Sequence, residues 1–252
     1  MNQNKAVEYI NLGLIDYKVC WDFQEKLFNE IIAQKIANRN SDHPQATDNF
    51  LIFCEHPHVY TLGKSGSIDN LLLSTEELET YQASFYKINR GGDITYHGPG
   101  QLVMYPIFDL DNFFTDIHRY LRYLEQAVIN VCDRFGLSAG RYDGYTGVWI
   151  DVHNASAARK ICAMGVKCSR WVSMHGIAFN IHTDLSYFKH IIPCGIKDKD
   201  VSSLARELPN ACPSISEVRL ALMEEMKNVF QIENLLPYQG EIPSTKPPYH
   251  AY

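Results

Sequence analysis

The sequence predicts an α/β (α+β) fold, a single domain with a mixed β-sheet flanked by helices. Three observations carry this expectation. Apolar residues step at helical spacing towards both ends of the chain, and they alternate or cluster in short runs through its middle. A length of 252 residues, 46% hydrophobic and 21% charged, suits one sizeable core. The formal charge of -6 argues against a general nucleic-acid binder. No apolar run approaches the roughly 20 residues that span a bilayer, and the start MNQNKAVEYINLG lacks the basic and apolar regions of a secretory signal. Seven scattered cysteines, an odd number, fit a reducing, cytoplasmic setting in which thiols stay free.

The elements follow in order. Ala6 to Leu14 partly alternates and reads as a strand. From Tyr17 to Asn38, Cys20, Phe23, Leu27 and Ile31 fall on one helical face. A polar loop, NRNSDHPQATDN, precedes the buried strand FLIFCEH and the short strand HVYTLG. Asp116 to Phe135 is the clearest helix, because Ile117, Leu121, Leu124, Val128, Val131 and Phe135 step by four and three and Gly136 is placed to stop it. GVWIDV, RKICAMGVK and SMHGIAFNI read as successive strands. The capping-box pattern SISE, Ser214 to Glu217, opens a last helix through Ile215, Val218, Leu222, Met226 and Val229. From Pro237 the tail PYQGEIPSTKPPYHAY is rich in Pro and polar residues and reads as a loosely packed end.

Two nucleotide motifs fail. LGKSG has His58 where a P-loop needs its first glycine. The glycines of RGGDITYHGPGQ run into the strand QLVMYPIF and not into a helix, so they are no dinucleotide fingerprint. In CEHPH, an extended chain would point Cys54, His56 and His58 the same way, as a metal face does. Pro57 bends that chain and no second ligand cluster of convincing spacing appears, so pocket-lining or turn histidines are the expectation and no metal or cofactor is assigned.

RGGDITYHGPGQ spends four glycines and a proline in twelve positions, yet carries Arg90, Thr95, Tyr96 and His97. A loop of this kind suits a pocket wall that touches a polar head and leaves a slot for an apolar body. The alternative is a solvated hairpin turn. A second feature favours the pocket. On SMHGIAFNI, Ile177, Phe179 and Ile181 point one way and Gly176 and Ala178 the other, and Ala163 and Gly165 repeat the device on RKICAMGVK. Nearly bare sheet surface lets a chain-like ligand or another backbone lie flat.

RGGDITYHGPGQLVMYPI, RKICAMGVK, SMHGIAFNI and IIPCGI, in this order, resemble the octanoyltransferases of lipoate biosynthesis, the lipoyl(octanoyl) transferase family. The likeness runs from YINLGLIDY to the final helix. It implies a biotin/lipoate-protein ligase-like fold, with a single catalytic domain over residues 1–236 and a Pro-rich tail over 237–252. It also implies ping-pong acyl transfer. Octanoyl-acyl carrier protein donates to a cysteine, and the lysine of an apo lipoyl domain, in 2-oxoacid dehydrogenase complexes or the glycine cleavage H protein, takes the acyl group as an amide. Neither nucleic acid nor membrane is an implied partner. Matched by motif, the cysteine is Cys194 and its partner Lys160, and substrate contacts fall on Arg90, Gly91, Gly92, Asp93, Ile94, Thr95, Tyr96 and His97, on Ala163, Met164 and Gly165, and on Gly176, Ile177 and Ala178.

The chemistry of the implied pair stands on its own. A nearby ammonium favours the thiolate over the thiol. Thioester exchange is nearly balanced in energy, so loading needs no ATP, and amide formation then drives release. Lys160 is suited to protonating a departing thiolate or, as free base, to deprotonating the incoming lysine. By strand alternation Cys162 shares a face with Lys160, which makes it, with Cys168, the rival nucleophile. His175 falls on the core side of its strand by the same rule, and a structural role is its default. Lys64, Arg141, Lys167, Arg170, Lys197 and Lys199 are candidates for a basic patch at the mouth that receives an acidic carrier. The competing functions are an ATP-dependent lipoate or biotin ligase on the same fold, a non-catalytic acyl-carrier or lipoyl-domain binder, and a cysteine thioesterase.

Overall fold

The structure is a computed structural model, and it describes residues 3–192 and 200–244. Its strands and helices, in chain order, are β1 (Ala6–Leu14), α1 (Tyr17–Asn38), β2 (Phe50–Glu55), β3 (Val59–Leu62), α2 (Thr75–Thr80), β4 (Ser84–Lys87), β5 (Ile94–His97) and β6 (Gln101–Ile107). There follow α3 (Ile117–Arg134), β7 (Gly140–Tyr142), β8 (Tyr145–Ile150), β9 (Arg159–Ser169), β10 (Val172–Asn180), β11 (Asp200–Val201), α4 (Leu204–Glu207), α5 (Ile215–Phe230) and β12 (Asn234–Pro237). The main sheet runs β12-β1-β2-β6-β10-β9-β8-β7, with β11 paired to β9, and a small sheet runs β4-β3-β5. Parallel pairs (β1 with β2 and β12) and antiparallel pairs share the main sheet, so it is mixed.

Each face of the main sheet has its own cover. Leu102, Met104, Ile177 and Phe179 meet Leu124, Val128 and Val131 of α3 and Val218, Leu222 and Met226 of α5 in the larger core. On the opposite face Val103, Tyr105, Val172 and Met174 pack beneath Cys20, Phe23, Leu27 and Ile31 of α1. All three long-helix starts are capped: the Asp16 carboxylate accepts from Val19 N–H, the Asp116 carboxylate accepts from Arg119 N–H, and Ser214 and Glu217 form the capping box that the sequence predicts. Helix α1 covers only part of its face. Further along, the small sheet and the loop after β4 stand over β9 and β10, and the site lies between.

The chain stays on the fold slightly beyond the sequence-based start of the tail. β12 extends through Pro237, and the Tyr238 ring packs edge-on against Phe23 and Phe50. None of the described helices is long and apolar enough to cross a membrane.

Candidate active site

The antiparallel register of β9 and β10 sets Gly165 opposite Gly176 and Ala163 opposite Ala178. Ala163, Gly165 and Ala178 give the face that α1 leaves open small residues only, so the sheet surface there is almost bare, whereas a Cβ on Gly176 would run into Met104 O of β6. The glycine loop lies flat on part of it: Gly91 N–H donates to Val166 O at 3.0 Å. A Cβ on Gly165 would stand 2.7 Å from Arg90 Cδ and 2.8 Å from Gly91 O, so only glycine admits this approach. Arg90 is itself fixed within the loop, donating to Thr61 O at 3.1 Å and Asp93 O at 2.9 Å.

What the loop does not cover is a slot of two compartments. Arg90, Thr95, Ala163, Met164 and Ala178 wall both, so the two adjoin. The outer compartment adds Ile94, Trp149, Phe188 and Lys160, and the inner one adds Tyr17, His97, Tyr105 and His175. Of the residues predicted from sequence, Gly92 and Asp93 line the outer part and Gly165, Gly176 and Ile177 the inner. Gly91 serves the strand contact instead. Tyr96 turns away from the slot, giving its hydroxyl to His58 Nδ1 at 2.7 Å and its ring to Tyr187.

Lys160 stands at the outer end. Its Nζ is 4.7 Å from the centre of the Trp149 ring, a cation–π distance. The indole Nε1–H of Trp149, buried in the same wall, finds no acceptor among the described residues. Trp149, Gln101, Asn180 and Phe188 escaped the sequence reading; alternation in GVWIDV, with Val148 and Ile150 in the core, is the signal that sets Trp149 on the other face.

Cys194 lies in 193–199, outside the described residues. Both flanks of that segment are held at the slot. Ile192 N–H donates to Asn70 O at 2.9 Å, next to the Leu71–Ile191 bridge, and Val201 pairs with Lys160 itself. Ser202 N–H then donates to Lys160 O at 2.8 Å.

Two expectations from simple alternation need correction. Val148 pairs with Cys162 but Trp149 pairs with Lys160, so β9 carries one extra residue at Ile161. This bulge, opposite Gly147 at φ +117, turns Cys162 into the core with Ile161, while Lys160 keeps the slot. Burial pushes the Cys162 thiol well above its ordinary range, and neither Cys162 nor Cys168 lines the slot. His175 does not face the core either. Extending the β6–β10 register from Met104–Ile177 brings it opposite Pro106, which has no N–H to give, and Ser173 Oγ takes Pro106 O at 2.9 Å. Outside the β6 pairing but still opposite Val166 of β9, His175 adopts φ +62, gives its N–H to Gln24 Oε1 at 3.2 Å and turns its ring into the inner compartment.

The histidines of the inner compartment are buried and neutral. Burial, with Arg90 and Lys167 nearby, pushes His175 down to about 3. Burial, with His56 nearby, holds His97 at about 3. His97 Nδ1 lies 2.8 Å from Gln101 Oε1, and Gln101 Nε2 donates to Asn180 Oδ1 at 3.0 Å, so His97 donates from Nδ1 and carries its lone pair on Nε2. Among the described residues, the basic candidates do not gather at the mouth. Arg141 pairs with Glu125, Arg170 lines a separate hollow with Lys35 and Trp171, Lys167 Nζ lies over the Phe28 ring, and Lys64 borders the loop, its N–H donating to Arg90 O. Lys197 and Lys199 lie outside the described residues.

CEHPH also behaves differently from its extended reading. His58 leaves to stack on Tyr187, while Cys54 and His56 meet Cys20 of α1, a partner 34 residues earlier than Cys54.

Comparison with known proteins agrees with this geometry. Residues 16–227 match the lipoyl protein ligase A/B catalytic domain. The octanoyltransferase of Cytophaga hutchinsonii is 58% identical over 233 residues, covering 92% of this chain and 95% of the relative. That of Christiangramia forsetii is 57% identical, covering 94% and 100%. Among solved structures, a bipartite lipoate protein ligase of Thermoplasma acidophilum, studied with its E2 lipoyl domain, superposes with a TM-score of 0.66 at 18% identity, covering 95% of this chain and 88% of that one. A lipoate-protein ligase A bound with ATP gives 0.63 at 18% identity, covering 97% and 91%. The fold is that of the lipoate-protein ligases, and the chain belongs to the lipoyl protein ligase A/B catalytic-domain family, among its octanoyltransferases.

Proposed function

We propose that the protein moves an octanoyl group from octanoyl-acyl carrier protein to the lipoyl-domain lysine of lipoate-dependent enzymes, through a thioester on Cys194. Residues 1–236 form the catalytic unit, working in the cytoplasm on 2-oxoacid dehydrogenase lipoyl domains and the glycine cleavage H protein. The observation that carries this reading is the slot: an apolar, small-floored channel that ends at Lys160, with both flanks of the Cys194 segment tied beside it.

In the first half-reaction the Cys194 thiolate attacks the thioester carbonyl. The tetrahedral adduct collapses, the carrier thiol leaves with a proton from the Lys160 ammonium, and the acyl chain lies over Ala163 and Ala178. In the second, the incoming amine attacks the Cys194 thioester, gives its proton to Lys160 and leaves the amide on the acceptor. The buried, uncharged His97 and His175 add no cationic acid beside the acyl chain, and filling of the compartment by that chain would keep water from the thioester, which favours transfer over hydrolysis.

Incubation with octanoyl-acyl carrier protein and apo lipoyl domain, without ATP, tests this directly. Octanoylated acceptor and an octanoyl adduct on Cys194 are expected. Modification that needs ATP and free octanoate would instead identify a ligase, release of free octanoate without an acceptor a thioesterase, and binding with no adduct a non-catalytic partner.

A further inference from the structure

Behind the inner compartment, on the far side of Tyr105, three ligand-bearing side chains converge. Cys54 and His56 are two residues apart at the end of β2, so they project to the same side, and α1 lays Cys20 over them. Their Sγ and ring-nitrogen atoms all lie within 4.8 Å of one another, and all three residues are buried. The two sulfurs are 4.0 Å apart, and Cys54 Sγ is 3.5 Å from His56 Nε2. A tetrahedral zinc centre has edges of about 3.8 Å between sulfurs and about 3.6 Å from sulfur to imidazole nitrogen. Two of the cluster's three edges are close to these values before any ion is added, and the third is within 4.8 Å.

The histidine is also set in the right tautomer. His56 Nδ1 lies 2.9 Å from Ile15 O, an acceptor only, so Nδ1 carries the proton and Nε2, 3.5 Å from Cys54 Sγ, carries the lone pair. A backbone carbonyl on the distal nitrogen is the usual orienting contact of a metal-binding histidine. Tyr105 Oη donates to the same lone pair at 2.9 Å, a contact that a metal ion would take over.

We propose that Cys20, Cys54 and His56 bind one zinc(II) ion that fastens α1 to β2 behind the acyl slot. Charge favours a divalent ion: two thiolates and a neutral imidazole leave the buried centre with no net charge, whereas copper(I) would leave it negative. Binding exchanges two thiol protons for the metal, so occupancy rises with pH. The ion would lie outside the transfer chemistry, since neither sulfur lines the slot.

The full chain, expressed with zinc and purified under reductant, is assayed for metal. It is also refolded from guanidinium with cobalt(II), which removes any barrier of access. About one zinc per chain is expected, and the cobalt form is expected to show thiolate-to-metal charge transfer with tetrahedral visible bands. Cys20→Ser/Cys54→Ser should lower the metal content at least about tenfold, while Cys168→Ser/Cys212→Ser should keep it. Less than about 0.1 metal per chain in both preparations would overturn the proposal, as would equal metal in the Cys20/Cys54 variant or a metal-free Cys20–Cys54 disulfide. If the double variant does not fold, the wild-type cobalt spectrum and His56→Gln decide, with a sulfur-free spectrum counting against the site.

Discussion

The Lys160 ammonium stands 4.7 Å from the centre of the Trp149 ring, and the two residues are cross-strand partners at a bulge. The aromatic face attracts the cation and limits where its long side chain can go, so Trp149 is a positioning residue for the proposed acid–base group. A desolvated cation–π contact is worth about 1–2 kcal/mol, and Trp149→Leu is expected to slow acyl-enzyme formation about 5- to 30-fold. Trp149→Phe keeps a π face and should recover most of that rate. Stopped intact-mass time courses for the two variants separate the cases; equal slowing would mean that the ring acts only by filling volume.

The bulge at Ile161 also decides between the thiols. Cys162 is in the core with its thiol pushed up by burial, and Cys168 lies away from the slot. Cys162→Ser and Cys168→Ser should therefore still form the octanoyl adduct. Cys194→Ala should lose it, with transfer down by on the order of 10^3-fold or more. Peptide mapping of the adduct checks the assignment, and an acyl group found on Cys162 would sink it.

Much of this architecture was legible because its periodicity is local. The helix over Tyr17–Asn38 and the small residues Ala163, Gly165 and Ala178 on the sheet's open side follow from spacing along one segment, whereas Gly176 is needed for the close approach of Met104 O on β6. The misses share a different origin. Cys162 is turned inward by a register shift against β8, and His175 is turned outward because Pro106, on another strand, cannot complete the ladder. Cys20 joins Cys54 and His56 only once α1 packs on β2. None of these can be read from the spacing within one strand, because each is set by what the neighbouring element lacks or supplies.

The neutral histidines make stability depend on pH. His97 and His175 have folded values of about 3, below an unfolded value of about 6.5, because burial penalises the imidazolium; Arg90, Lys167 and His56 add like charge. The unfolded chain thus binds more protons below the unfolded value. The stability these residues contribute is complete above about pH 6.5 and is lost as pH falls towards about 3, by up to about 1.4 kcal/mol per pH unit for each. Urea midpoints measured between pH 7.5 and 4.5 should fall, about as steeply at 0.5 M salt because the groups are buried. His175→Gln should flatten the slope, and an unchanged slope would place the loss elsewhere.

The floor of the slot fixes what chain it accepts. Ala178 is 4% exposed, faces Ala163 across the β9–β10 ladder and walls both compartments, so a larger side chain there divides the channel. Ala178→Leu adds three carbons that have nowhere to go but the slot, since Ile177 and Phe179 hold the other face against α3 and α5. Overpacking of this size costs about 1–3 kcal/mol when the space is occupied. Loading with octanoyl-acyl carrier protein should fall about 5- to 150-fold while butyryl loading, which needs only the outer compartment, stays within about threefold of wild type. Competition between the two donors, read by intact mass, gives the ratio in one experiment. If both donors fall together, Ala178 is not in the acyl path and the chain must lie elsewhere on the sheet.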